Sequence, residues 1–295
     1  MAAITPVRAW IAAARPPTLT AVVAPILMGL GLARHDERWL VWPAVATLVA
    51  GLLIQIGTNI ANDYYDYLKG ADTAERLGGV RVTQAGLLSA RAVRRGMWVV
   101  FGTAVAVGAY LVTVGGWPIL AIGLVSIAAG VGYTAGPTPI GYVGLGDLFT
   151  FVFFGPVAVV GTYYLQSGTV TWGAAVAGCG IGALVTAILV VNNLRDIDTD
   201  AGAGKRTLAV RIGRAGSRAE YLLLLATGAA IPLLGWSAGL WDGAVAVVSA
   251  VLLTALPTLR TVLTFTNPRD LNAALGQTAR MVGLYGLAFA ATVAR

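Results

Sequence analysis

Residues 41–72 read VWPAVATLVAGLLIQIGTNIANDYYDYLKGAD. The stretch 41–57 carries no charge, and the apolar run continues to about residue 61, long enough to cross a bilayer as a helix. Its foot is crowded with polar groups: Asn59, Asn62, Asp63 and Asp66, with Asp72 a little further on. Clustered carboxylates repel one another and are costly to bury, so a cation is expected to meet them. The apolar half of this stretch decides the fold, and the polar half points to the chemistry.

The same apolar character recurs along the chain. Runs of roughly 18 residues or more lie near 17–34, 41–61, 95–115, 117–135, 146–166, 172–194, 219–239, 241–262 and 275–294. The 295 residues are 57% hydrophobic and 11% charged, against about 25% charged in soluble domains. No strand-period alternation accompanies these runs, and a helix satisfies its own backbone in lipid. The expected fold is therefore all-α, a multi-pass transmembrane bundle of about nine helices. No Ser/Pro-rich linker divides it, so 1–295 reads as a single membrane domain.

Charge sets the orientation. With the N-terminus in the cytoplasm, 17 of the 20 Lys and Arg residues fall on that side, leaving Arg34, Arg38 and Arg295 outside. The net charge of +7 is thus accounted for by topology and by a site for an anionic substrate, not by nucleic acid. The expected location is the cell (plasma) membrane, with the N-terminus and the long loops cytoplasmic. Arg8 and Arg15 precede the first run, which lacks a small-residue cleavage site, so no signal peptide is read there. The lone Cys179 reads as a packing residue within a span, and the lone His35 as a solvated loop residue.

Two cytoplasmic loops, 62–95 and 195–218, hold Asp63, Asp66, Asp72, Glu75, Asp196, Asp198 and Asp200, seven of the 13 acidic residues. Asn59-x3-Asp63 and Asn192-x3-Asp196 repeat one spacing, each closing an apolar run. Helical geometry puts Asn59, Asn62, Asp63 and Asp66 on one face. It groups Asn192, Asp196 and Asp200 in the same way, with Asn193 alongside, and turns Asp198 about 200° away from Asp196. Either Lys and Arg neutralise these carboxylates as a structural network, or a divalent metal does. Mg²⁺ (Mn²⁺ is the alternative) takes oxygen ligands and is commonly held by one or two carboxylates plus substrate phosphates. Arg81, Lys205 and Arg206 lie near enough in sequence to grip those phosphates.

The two acidic segments resemble the aspartate motifs of the UbiA superfamily of intramembrane aromatic prenyltransferases. The stretches that carry the resemblance are ARPPTLTAVVAPILMGLG at 14–31, NDYYDYLKGAD at 62–72 and VRVTQAGLLS at 80–89. YTAGPTPIGYVGLGDLFTFVFFGPVAVVGTYYLQ at 133–166 and NNLRDIDTDAGAGKRTLAVRIGR at 192–214 extend it over most of the chain. More narrowly, they are similar to the branch that prenylates 1,4-dihydroxy-2-naphthoate. Two departures stand out: Asp66-x5-Asp72 is longer than the usual spacing, and Gly79 stands where that branch usually has proline.

The resemblance implies attack of an electron-rich ring on a polyprenyl diphosphate, with Mg²⁺ neutralising the leaving group inside a water-excluding helical cavity. It assigns Asp63, Asp66, Asp196 and Asp200 to the metal. Asn59, Asn192, Arg81, Lys205, Arg206 and Arg15 are assigned to the diphosphate, and Tyr133, Asn62 and Gln84 to the acceptor. Sister acceptors (homogentisate, 4-hydroxybenzoate, chlorophyllide) remain open. A transporter is the reading from a different class. Ion paths place acids along the depth of a bundle, whereas here 95–115 and 117–135 hold none and the acids gather on one side.

Overall fold

The structure is a computed structural model that describes residues 5–71 and 77–295. Asp72, Glu75 and Arg76 of the first loop lie outside the described residues. Among those described the regular structure is helical, with no strand. The helices are α1 (Pro6–Ala14), α2 (Thr20–His35), α3 (Val41–Leu68), α4 (Ala90–Gly115) and α5 (Trp117–Gly132). They continue as α6 (Gly146–Ser167), α7 (Trp172–Arg195), α8 (Ile197–Gly202), α9 (Leu208–Ser237), α10 (Gly243–Thr264) and α11 (Leu271–Val293).

Every apolar run forms one of these helices. Six of them (α3, α4, α6, α7, α9 and α10) are long and apolar enough to cross a membrane, and α1 and α2 are so only when taken together, as a pair bent by 52°. The shorter apolar α5 and the 23-residue α11 complete the set. The chain is a multi-pass membrane protein.

The structure corrects some boundaries. The first span does not run evenly through its start: Pro16 and Pro17 stop α1, and Arg15 turns the chain with a φ of 51°. Helix α9, the seventh apolar run, starts at Leu208, well before residue 219, because Thr207 caps it through the Val210 N–H and Gly213 absorbs a kink at a φ of 71°. Much of the second acidic loop is therefore helix.

Helix α7 is the centre of the bundle. About 72% of an 18-residue apolar segment of it is buried, against 22% for α4. Its small residues explain the position. A Cβ on Gly155 of α6 would fall 2.5 Å from the Gly178 carbonyl and 2.8 Å from the Gly182 Cα, so the two backbones touch there. In lipid, such close packing replaces the hydrophobic drive that assembles soluble cores. Helices α3, α4 and α5 stand to one side of α7, and the space between them and α7 is not filled by side chains.

Candidate functional site

That space is a cavity of about 550 Å³. On α3 it is lined by Thr47, Gly51, Ile54, Gln55, Asn59, Asn62 and Asp66. This is a single i, i+3/i+4 face, and at 1.5 Å per residue it runs about 28 Å, close to the thickness of a bilayer's hydrocarbon core. One end is polar: Asn62, Asp66, Arg81, Asn192, Asp196, Asp200 and Lys205 all reach it. The remainder is largely aliphatic and aromatic, with Phe149, Phe153 and Phe154 on the α6 wall. Val105, Leu120 and Leu124 both line the cavity and stand on the outer surface, about half exposed, so α4 and α5 leave it open sideways.

At the foot of α3, Asp66 is buried and crowded with donors. Arg81 Nη2 lies 2.9 Å from its Oδ2, the Tyr142 hydroxyl donates to its Oδ1 at 2.7 Å, and Lys205 Nζ is 4.0 Å away. Tyr142 is itself a strut. Its ring carries Lys69 Nζ on one contact and Lys205 Nζ on another, each 4.9 Å from the centroid. Lys69 caps the 134–136 turn by donating to the Thr134 and Gly136 carbonyls at 2.7 and 2.9 Å. Burial lowers its pKa from the ordinary lysine value, and the nearby Asp66 carboxylate works against that. Asn62 is fixed by the Thr134 hydroxyl at 3.0 Å.

At the foot of α7 the arrangement is more local. Arg195 grips the adjacent Asp196 with two bonds of 2.8 and 2.6 Å. The same guanidinium reaches Asn192 Oδ1 at 2.8 Å and Asn272 Oδ1 at 3.0 Å, and Asn272 holds the Leu77 carbonyl. Arg195 thereby ties α7 to α11 and to the end of the first loop. Asp200 faces Lys205 at 3.5 Å. Burial raises the Asp200 carboxyl above its ordinary pKa, with Lys205 pulling it back. Asp198 points outward, exposed and paired with Arg214 at 2.6 Å.

The cavity thus gathers Asp66, Asp196, Asp200, Asn59, Asn192, Arg81, Lys205, Arg15, Tyr133 and Asn62. Three candidate residues are placed elsewhere. Asp63 is buried but turned away from the cavity, accepting from the Val82 and Thr83 N–H groups at 2.9 and 3.0 Å and from the Thr83 hydroxyl. Its carboxylate is used to pin the 81–86 turn, which carries Arg81 to Asp66. Gln84 is exposed on the far side of that turn. Arg206 is also exposed, because its own N–H is held by the Tyr142 carbonyl while the cavity side of the turn belongs to Lys205. Asn59 lines the cavity but spends its amide on the Ala14 carbonyl and the Thr18 hydroxyl, holding the bend between α1 and α2. The cavity-facing echo is therefore Asn62-x3-Asp66 against Asn192-x3-Asp196, one helical turn from the pairing that spacing alone suggests. Sequence reasoning passed over Tyr142 and the structural role of Arg195, whose only signal was their place inside the two quoted blocks.

Among the described residues, no three acidic, histidine or cysteine side chains converge as a ready-made metal cage. The donors present are carboxylates and amide oxygens from two separate helix ends. Such a set fits a hard cation that keeps waters and shares phosphate oxygens with a ligand.

With this geometry, the chain belongs to the UbiA prenyltransferase family, which it matches over residues 22–283. It is 42% identical over 219 residues to the 1,4-dihydroxy-2-naphthoate octaprenyltransferase of Mycobacterium tuberculosis (strain ATCC 25618 / H37Rv), covering 74% of each chain. The enzyme of the same name from Escherichia coli (strain K12) is 36% identical over 228 residues, covering 75% of this chain and 74% of that one. Among solved structures, a UbiA homolog from Archaeoglobus fulgidus bound to DMAPP and Mg²⁺ superposes with a TM-score of 0.68 at 14% identity, covering 96% of this chain and 99% of that one. A homolog from Aeropyrum pernix K1 gives 0.70 at 15% identity, over 91% and 96%. These two share the fold.

Proposed function

We propose that this chain transfers a polyprenyl group from polyprenyl diphosphate to 1,4-dihydroxy-2-naphthoate, releasing pyrophosphate and CO2 and giving demethylmenaquinol in menaquinone biosynthesis. The observation that carries this reading is a cavity about as long as a bilayer's hydrocarbon core is thick, with a charged end built from two helix feet and a largely apolar remainder. Similarity to the naphthoate enzymes selects the acceptor.

In this reading the diphosphate sits at the charged end. Arg81 and Lys205 are the cations that turn to its oxygens, with Arg15 at the α1–α2 bend beside them. Asp66, Asp196 and Asp200, with Asn62 and Asn192, would hold Mg²⁺ (or Mn²⁺). Bound there, the metal would supply Lewis-acid neutralisation of the leaving diphosphate. Tyr142 keeps Asp66 and the two lysines in place as the bond between the prenyl carbon and the diphosphate oxygen breaks. The apolar walls keep water from the allylic cation. The ring carbon then bonds to the prenyl carbon, and the carboxylate leaves as CO2. Tyr133 flanks the space left for the ring. The membrane is proposed to be the plasma membrane, with both acidic loops cytoplasmic, as the distribution of Lys and Arg favours.

The test offers purified protein the naphthoate, 4-hydroxybenzoate and homogentisate with one polyprenyl diphosphate and Mg²⁺, and identifies products by mass. Prenylated, decarboxylated 1,4-naphthoquinol is expected. Product from a sister acceptor alone would reject the naphthoate reading.

A further inference from the structure

The cavity glycines are of two kinds. A Cβ on Gly51 would collide with Ile26 at 2.8 Å, and one on Gly130 with Thr58 at 2.3 Å, so these glycines serve packing. Gly108 on α4 and Gly123 on α5 also line the cavity, yet a Cβ at either would meet nothing within 4 Å. A mid-helix glycine costs about 1 kcal/mol relative to alanine, and no packing contact offsets that cost at these two positions. Their absent side chains leave open volume.

The two glycines also share a depth. Gly57 of α3 touches Phe101, seven residues before Gly108, and the adjacent Thr58 touches Gly130, seven residues from Gly123. Seven residues are about 10 Å of helix, and the eight or nine residues from that level to Asp66 add about 13 Å. Both glycines therefore stand roughly 23 Å from the charged end, beside the sideways opening marked by Val105, Leu120 and Leu124. With C–C bonds of about 1.5 Å, an extended four-bond isoprene repeat covers about 5 Å. Four units cover about 20 Å and stop short, so a tail whose head lies at Asp66 reaches the glycine pair with its fifth isoprene unit.

We propose that Gly108 and Gly123 together form the chain-length gate of this site: they hold open the passage through which the part of a prenyl tail beyond about four units leaves the cavity, and so admit long tails. This rests on the reading of the cavity as a prenyl diphosphate site. Tails of two to four units end before the gate and do not depend on it. A larger side chain at either position blocks only the longer ones.

The experiment compares kcat/KM for geranyl, geranylgeranyl and octaprenyl diphosphate with a fixed naphthoate acceptor in wild type, Gly108→Leu, Gly123→Leu and Gly102→Leu. Gly102 is on α4 as well, has no atom within 4 Å of its Cβ position, and does not line the cavity, so it controls for a bulky residue in that helix. The two gate variants should keep geranyl and geranylgeranyl transfer within about twofold and lose at least about tenfold on octaprenyl, the scale of a few misplaced methylenes. Gly102→Leu should keep the wild-type ratio. An equal loss on all three tails, an unchanged octaprenyl rate, or the same length shift in Gly102→Leu would overturn the gate. A wild type that prenylates nothing would instead reject the functional reading beneath it, and the gate with it.

Discussion

The feet of α3 and α7 present the same Asn-x3-Asp pair to one cavity, yet they are built differently. Asp66 is met by groups from distant segments: Arg81 across the first loop, Tyr142 from the α5–α6 connection, and Lys205 from beyond α8. Asp196 is met by its own neighbour, Arg195. One end exists only once the bundle has closed, whereas the other is largely written into consecutive residues. The α3 end therefore depends on supports outside the cavity, above all the turn pinned by Asp63, while the α7 end depends on few.

The largest effects should come where the two ends agree. Asp66→Asn and Asp196→Asn should each lower kcat/KM for prenyl transfer by a hundredfold or more, on the scale of losing one electrostatic stabiliser of a developing charge, with protein still inserted in the membrane. Steady-state assay at saturating Mg²⁺ checks this. Near-normal activity in one of the two would mean that the ends do not serve a single site.

The ends should separate on Asp63. Asp63→Ala leaves the Val82 and Thr83 N–H groups without their buried acceptor, a loss of about 3 kcal/mol, and frees the turn that delivers Arg81. Hydrogen exchange at Val82 and Thr83 should quicken in Asp63→Ala and stay slow in Asp196→Asn. Equal exchange in both variants would show that the turn does not depend on Asp63.

Much of this was legible in the chain and some was not, for physical reasons. Apolar runs of bilayer length report helices whatever their partners, so nine stretches became helices. Polar residues at helix feet pointed to Asp66, Asp196, Asp200 and Lys205. Periodicity fixes which residues share a face but not which edge of that face meets the cavity. Asp63 and Asp66 are only about 60° apart on a wheel, and the fold assigned one to backbone amides and the other to the site. The 81–86 turn, which decided between them, has no period to read. Tyr142 was hidden for a similar reason: its role comes from two lysines far apart in sequence.

Smaller effects sharpen the contrast. Tyr142→Phe removes a hydrogen bond to a buried carboxylate, about 1.5–3 kcal/mol, from the α3 end alone. Activity should fall about tenfold with a higher Mg²⁺ requirement, while Asp198→Asn, at an exposed pair outside the cavity, should change neither. The least effect is a pH trend in metal-free protein. Burial raises the Asp200 carboxyl in the folded state. Its stabilising contribution is therefore present at low pH and fades as pH rises from the ordinary aspartate range through the raised value. Melting temperatures in chelator should fall over that window in wild type and stay flatter in Asp200→Asn.

The central claim, that two helix feet form one metal–diphosphate site, is tested most directly by binding without turnover. A non-reactive prenyl thiolodiphosphate should bind purified wild type in Mg²⁺ and be released by chelator. Binding should be lost in both Asp66→Asn and Asp196→Asn and retained in Asp198→Asn. Undiminished binding in chelator, or in either cavity-facing variant, would contradict it.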